Sequence, residues 1–256
     1  MAYGVDLETE SGIALVRLNR PEQRNALDGT MLTQLDAALT ESEERDDVQV
    51  VIVTGADPAF CAGLDVGALT RPGGLNISEL TPKGRPWPAQ HHKPWIGAIN
   101  GVAITGGLEL ALACDFLIAS EQARFADTHA RLGILPFWGL TAELPQAVGL
   151  RAARLMSLTG NLINAHEAHE WGLVSRVVPH DRLMTAARQL AEDITSNDLA
   201  AAQVIRQEHE AGLSMSADSA RDVEVRRAVE WQGTGWDSDR MAARIEAVKQ
   251  RGRAQK

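Results

Sequence analysis

The sequence predicts an α/β fold followed by a helical C-terminal region. Three observations carry this. Apolar runs of strand length recur in the first half, at residues 13–18, 48–53, 95–99 and 116–119. Two of these runs pass into glycine-containing loops, at residues 54–66 and 100–107. From about Arg182 onward the pattern becomes that of successive amphipathic helices. A chain of 256 residues is long enough for one large core with a small appendage, and 45% hydrophobic against 23% charged residues is ordinary for a soluble globular protein.

The elements follow in order. Ile13-Ala-Leu-Val-Arg-Leu18 suits a strand. Asp28 is an N-cap for a helix running to about Arg45, with Leu32, Leu35 and Leu39 on one face. Residues 48–53 read as a buried strand entering Thr54-Gly-Ala-Asp-Pro-Ala-Phe-Cys-Ala-Gly-Leu-Asp-Val66. Residues 67–93 are punctuated by Arg71-Pro-Gly-Gly, Thr81-Pro-Lys-Gly and Arg85-Pro-Trp-Pro, so a long irregular segment is expected there, either functional or simply solvated. A strand at 95–99 leads through Asn100-Gly101 to a helix opened by Gly106-Gly107, and a strand at 116–119 follows. Helices are predicted at 183–194, 200–210, 217–231 and 238–250. The boundary between core and helical region is set at 195/196, giving segments 1–195 and 196–256.

Gly106-Gly107 carries the main chemical signal. Paired glycines opening a helix leave bare backbone N–H groups, backed by the positive end of the helix dipole. Such donors stabilise an oxygen that gains negative charge during a reaction. Glu109, in the first turn of that helix, is close enough to move a proton at the same centre. The loop after the 48–53 strand offers a second place for an outward-facing N–H. Two donors from separate loops, roughly 3 Å from one carbonyl oxygen, make an oxyanion hole.

The blocks Gly55-Ala-Asp-Pro-Ala-Phe-Cys-Ala-Gly-Leu-Asp-Val66 and Ala98-Ile-Asn-Gly-Val-Ala-Ile-Thr-Gly-Gly-Leu-Glu-Leu-Ala111 together resemble the crotonase (enoyl-CoA hydratase/isomerase) superfamily. Leu18-Asn-Arg-Pro-Glu-Gln-Arg-Asn-Ala-Leu27, the segment from Arg124-Phe125 to Pro136, and residues 165–178 resemble further family blocks in the same order. The similarity runs from about Val5 to the C-terminal helices. It implies a crotonase-type spiral of ββα turns with a C-terminal helical trimerisation region, and a homotrimer or dimer of trimers. It implies an acyl-CoA thioester as substrate, with coenzyme A carried on the substrate rather than held as a cofactor, and no metal. By position, the oxyanion donors are the amides of Leu64 and Gly106. Arg24, Ala26 and Leu27 match the first coenzyme A-binding turn, and Ala62, Asp65 and Val66 flank the adenine-facing loop. Residues 67–93 lie where the family places a variable wall over the acyl pocket.

One position departs from the family pattern. Hydratases of this family pair two glutamates across one water. Glu109 matches the first; the slot of the second holds His129, in Phe125-Ala-Asp-Thr-His-Ala-Arg-Leu-Gly133. Histidine also transfers protons near neutral pH. A Glu109/His129 pair is therefore compatible with hydration of a 2-enoyl-CoA. Isomerisation, decarboxylation, C–C hydrolysis and a non-catalytic acyl-CoA binder are the alternatives. Asp127 could orient His129 or ionise on its own. Phe137 and Trp138 bring bulk where the family commonly has glycine, and at least one of them is expected to line the acyl pocket.

Other features point away from other classes. A net charge of −9, from 25 basic and 34 acidic residues, argues against nucleic acid or an anionic membrane as the main partner. The two cysteines, Cys61 and Cys114, form neither a CxxC pair nor a disulfide framework. His166-Glu-Ala-His-Glu170 lacks the second histidine of HExxH at the required spacing. With no secretory signal and no apolar run of membrane-spanning length, a cytoplasmic location is expected.

Overall fold

The computed structural model describes residues 4–71, 91–234 and 238–254. They fall into two compact units, parting between Asn197 and Asp198.

The first unit is built by repetition. Strands β1 (Gly4–Glu10) and β2 (Ile13–Asn19) form an antiparallel hairpin. Its two turn residues, Ser11 and Gly12, both have positive φ, as a tight hairpin turn requires. Helix α1 (Gly29–Glu44) starts at Asp28, whose carboxylate accepts from the Met31 N–H at 2.9 Å, and it buries Met31, Leu32, Leu35, Ala38 and Leu39. Strand β3 (Val50–Gly55) then runs parallel to β2.

Here the chain bends, and β4 (Ala59–Cys61) enters a second sheet before helix α2 (Val66–Thr70). The same move recurs twice. Strand β5 (Trp95–Ile99) lies parallel to β3, β6 (Val102–Ile104) parallel to β4, and helix α3 (Gly106–Leu112) follows. Next, β7 (Phe116–Ser120) lies parallel to β5, β8 (Arg124–Ala126) parallel to β6, and helix α4 (His129–Leu132) follows. Each turn thus delivers the loop after its short strand to the same edge of the small sheet. The ends of β4, β6 and β8 are where ligands of parallel sheets are commonly met.

The unit continues through α5 (Leu140–Thr159), β9 (Ile163–Asn164), α6 (Ala165–Glu170), β10 (Arg176–Val178) and α7 (Leu183–Thr195). The large sheet has order β1-β2-β3-β5-β7-β10 and the small one β4-β6-β8-β9. Alternation along the strands sorts the core. Ala14, Val16, Leu18, Val51 and Val53 face the main cluster with α1 and the small sheet. Ile13, Leu15, Val50, Ile52 and Ile96 face the opposite side, where α7 covers them with Leu183, Ala187 and Ala191 at helical spacing.

One expectation needs correction. Residues 66–70 are helical, so the segment predicted as irregular from Gly67 begins as α2; the carboxylate of Asp65 caps it by accepting from the Ala68 N–H at 3.1 Å. Most of that segment, residues 72–90, lies outside the described residues. The 20-residue α5 has no counterpart in the sequence reading. Pro145 and a break at Gly149 (φ 76°, ψ 154°) interrupt its pattern.

The second unit contains α8 (Leu199–Gly212), capped by Asp198 through the Ala201 N–H, then α9 (Ala217–Thr234) and α10 (Ser238–Ala254).

Candidate active site

Three loops meet at the C-terminal ends of β4, β6 and β8. The first is tied down by a short parallel ladder. Leu27 N–H donates to the Gly63 carbonyl at 2.8 Å, Asp65 N–H donates to the Leu27 carbonyl at 2.9 Å, and Ala62 N–H donates to the Arg24 carbonyl at 3.0 Å. These bonds use the amides on either side of Leu64. Alternation along an extended chain turns the Leu64 N–H the other way. Gly63 has φ +86°, and a Cβ there would lie 2.8 Å from the Ile104 carbonyl and 3.2 Å from the Gly106 nitrogen, so glycine permits the first loop to touch the second.

Gly106 is the first residue of α3, where an N–H has no acceptor within the helix. A Cβ on Gly106 would sit 3.6 Å from the Leu64 nitrogen and 3.1 Å from Cζ3 of Trp138. Among the described residues neither the Leu64 nor the Gly106 N–H has an acceptor. Gly107 is equally constrained, since a Cβ there would fall 2.1 Å from the Cys61 carbonyl. Thr105, ahead of the helix, holds φ +55°, a strained value for a β-branched residue, and its hydroxyl pairs with that of Thr128 on the third loop.

Glu109 lies one turn into α3 and is buried. Its Oε1 accepts from Trp138 N–H at 2.8 Å and from Phe137 N–H at 3.2 Å. Its Oε2 is buried with no hydrogen-bond partner among the described residues. That oxygen faces His129 Nε2 at 3.7 Å, too far for a direct bond. Burial pushes the Glu109 carboxyl above the ordinary glutamate value, and the Trp138 N–H and the neighbouring His129 offset this only in part.

His129 starts α4 and is itself buried. Its Nδ1 lies 2.7 Å from Asp127 Oδ1, which also accepts the His129 backbone N–H at 3.1 Å. Burial acts to raise the Asp127 carboxyl, but hydrogen bonds from His129 and Ser157 outweigh it and hold the carboxyl below its usual range.

These groups open on one cavity of about 190 Å³. Leu64, Gly106, Glu109 and His129 line it, with Thr105 and Thr128 between them and an apolar wall that includes Leu69, Leu132, Ile134 and Phe137. Phe137 therefore lines the pocket, while Trp138 is buried and packs edge-on against it with ring centres 5.0 Å apart. The arrangement offers two outward N–H donors, a carboxyl and an imidazole around one space large enough for a small acyl group and a water. That set can stabilise an enolate and move protons beside it.

A model of the family described as enoyl-CoA hydratase/isomerase matches residues 8–236. The chain belongs to that family. Among its curated relatives, a protein of Arabidopsis thaliana named probable enoyl-CoA hydratase 1, peroxisomal, is 39% identical over 227 residues, covering 88% of this chain and 85% of the relative. The short-chain-enoyl-CoA hydratase of Clostridium acetobutylicum is 36% identical over 249 residues, covering 96% and 95%. A crystal structure of an enoyl-CoA hydratase from Mycobacterium paratuberculosis is 45% identical with TM-score 0.74, covering 90% of this chain and 98% of that one. Another, titled as an enoyl-CoA hydratase subunit of Geobacillus kaustophilus, is 26% identical with TM-score 0.83 and 95% coverage of both chains. The two sheets and the C-terminal helices are thus the crotonase fold.

In this crotonase chain, four of the six residues matched to coenzyme A, Arg24, Leu27, Ala62 and Asp65, meet on the ladder described above, and Ala26 and Val66 adjoin it in sequence. Arg24 is exposed, in the left-handed region at φ +51°. The Asp65 carboxylate is engaged by the Arg20 guanidinium at 2.7 Å and by the α2 cap, and its backbone is bonded as well, the N–H to the Leu27 carbonyl and the carbonyl to the Ala68 and Leu69 N–H groups, so Asp65 holds the shape of the loop. The sequence reading missed Arg20 and Asn25. Asn25 is fully buried, and its Nδ2 donates to the carbonyls of Ala56 and Ala59 at 2.8 and 2.6 Å, locking the first turn to the β3–β4 loop. It also missed the support of Glu109 by the Phe137 and Trp138 amides. Glu167, in the metal-like motif, completes a capping box with Asn164, and His169 Nδ1 bonds the Val174 carbonyl.

Proposed function

We propose that the protein is an enoyl-CoA hydratase, adding water across the C2–C3 double bond of a 2-enoyl-CoA to give a 3-hydroxyacyl-CoA. The observation that carries this is Glu109 Oε2, without a partner among the described residues, facing His129 Nε2 at 3.7 Å beside the amides of Leu64 and Gly106, which have no acceptor among those residues. A water between the two side chains can reach both. The thioester oxygen binds the two amides and takes the negative charge as water adds. Each donor of this kind is worth about 3 kcal/mol in the transition state. The names of the relatives support the same reading. Arg24, Ala26, Leu27, Ala62, Asp65 and Val66 receive the coenzyme A portion, mainly through backbone groups, with Arg24 placed to approach phosphate. The protein acts as a homotrimer or a dimer of trimers. A cytoplasmic location completes the reading, although one relative is named as peroxisomal and another as mitochondrial.

The test is steady-state hydration of crotonyl-CoA, followed by loss of the ultraviolet absorbance of the conjugated thioester. Turnover in the ordinary enzymatic range, about 1–10³ s⁻¹, is expected. The histidine in the second acid/base slot gives weight to one other reading. Exchange of the α-proton of butyryl-CoA with solvent deuterium, without hydration of crotonyl-CoA, moves the assignment to isomerisation through the same enolate. Binding of both thioesters in calorimetry with neither reaction moves it to a silent acyl-CoA binder.

A further inference from the structure

The cluster behind the pocket reaches further than the pair that faces it. Asp127 and His129 are both buried, and every described contact of the Asp127 carboxylate is with a donor: the His129 backbone N–H at 3.1 Å, His129 Nδ1 at 2.7 Å and the Ser157 side chain from α5. An ionised carboxylate only accepts, so the Nδ1 that it meets must carry the proton. The ring then presents Nε2 to the pocket as a lone pair. Across from it, Glu109 Oε2 is buried without a hydrogen-bond partner among the described residues. The two side chains stand 3.7 Å apart without a direct hydrogen bond, which leaves Nε2 open to a water in the pocket. A buried carboxylate oxygen without a donor is costly when charged and tolerable when protonated.

We propose that Asp127 is a positioning residue that holds His129 in its Nδ1–H form, making Nε2 the base of the reaction and Glu109 the acid. This assignment of roles rests on the hydratase reading. The step balances as follows. Nε2 takes a proton from water as the water oxygen bonds to C3. The C2–C3 π pair moves toward C1, and charge gathers on the thioester oxygen between the amides of Leu64 and Gly106. The enolate collapses as C2 takes the proton from Glu109 Oε2, and the carbonyl is restored. The imidazolium then returns its proton to the Glu109 carboxylate through the next water, so the pair starts the following cycle unchanged.

The test has two arms. Nitrogen-15 correlation spectra of the resting wild-type protein report which ring nitrogen of His129 carries hydrogen, whether or not the protein turns over. The Nδ1–H form is expected, and an Nε2–H form overturns the proposal. In kinetics, Asp127→Ala is expected to lower kcat by about 10²- to 10⁴-fold, the range for losing a general base or its orientation, with KM for crotonyl-CoA little changed. Asp127→Asn keeps the size of the side chain but can donate as well as accept, so it no longer enforces Nδ1–H and should lower kcat about as far as alanine does, which separates tautomer control from mere filling of space. Wild-type kcat in the alanine variant, with its fold intact, overturns the proposal. If the Nδ1–H form is present in wild type and lost in Asp127→Ala while wild type hydrates nothing, the positioning by Asp127 stands and the hydratase reading falls.

Discussion

Glu109 occupies a place where a charged carboxylate is expensive. It is buried, one oxygen is held by two backbone amides, and the other has no donor among the described residues. Burial raises its pKa above the ordinary value of 4.5. The sign of the resulting stability change follows. Below the ordinary value the side chain is protonated in both folded and unfolded chains, and burial carries no charge penalty. As pH rises through the window between the ordinary and the raised value, the unfolded chain ionises first, so stability is lost; above the raised value the whole penalty is present. Glu109→Gln keeps an oxygen for the Phe137 and Trp138 amides but cannot ionise. The variant should therefore melt at or above the wild-type temperature at pH 8, with that advantage shrinking toward pH 4, while kcat falls by about 10²- to 10⁴-fold. Calorimetric melting at the two pH values checks it. A variant less stable than wild type at pH 8 but not at pH 4 would contradict the assigned burial cost.

At the scale of elements, the site exists because three ββα turns stack. Each turn contributes one loop: residues 62–65 after β4, Thr105-Gly106 after β6, and residues 127–129 after β8. The glycines set how closely these loops approach. Gly106→Ala would place a methyl group 3.6 Å from the Leu64 nitrogen, in the space needed by the thioester oxygen, and 3.1 Å from the Trp138 ring. The expected result is a loss of kcat/KM of about 10²- to 10³-fold, comparable with removing one oxyanion donor, with a fold that still melts cooperatively. Turnover within threefold of wild type would remove the Gly106 amide from the mechanism.

Much of this level was legible in the sequence. The largely apolar runs of β2, β3, β5 and β7 follow from strands buried on both faces, and Gly106-Gly107 before Glu109 marks a helix start that needs bare amides. What stayed hidden lacks a local pattern. Asn25 meets the Ala59 carbonyl 34 residues away, and Arg20 meets Asp65 45 residues away. The amides that hold Glu109 belong to Phe137 and Trp138, whose side chains say nothing about their N–H groups. The strands β4, β6, β8 and β9 have two or three residues each, below the length at which alternation can be read.

For the whole molecule, burial is unevenly shared. Among the described residues, the first unit holds every buried core side chain, the last in sequence being Ala191. Among the described residues of the second unit, none is buried. Its helices instead expose apolar side chains at helical spacing: Val225 and Val229 on α9, at 64% and 65% exposure, and Ile245 and Val248 on α10, at 45% and 69%. Helices of 14 to 18 residues gain most of their stability from packing an apolar face, not from intrinsic propensity. A unit that buries no side chain within one chain therefore calls for cover from another. The first unit also leaves apolar surface open, with Leu135 at 82% and Leu158 at 78% exposure. Both facts support the proposed trimer-based assembly, with the C-terminal helices as the assembling part. Sedimentation equilibrium of the full chain should give three or six times the chain mass of 27.6 kDa. A chain ending at Asn197 should sediment as a monomer. If the full chain sediments as a monomer at micromolar concentration, or the shortened chain still forms trimers, assembly does not run through these helices. Their exposed valines and isoleucine would then need another role.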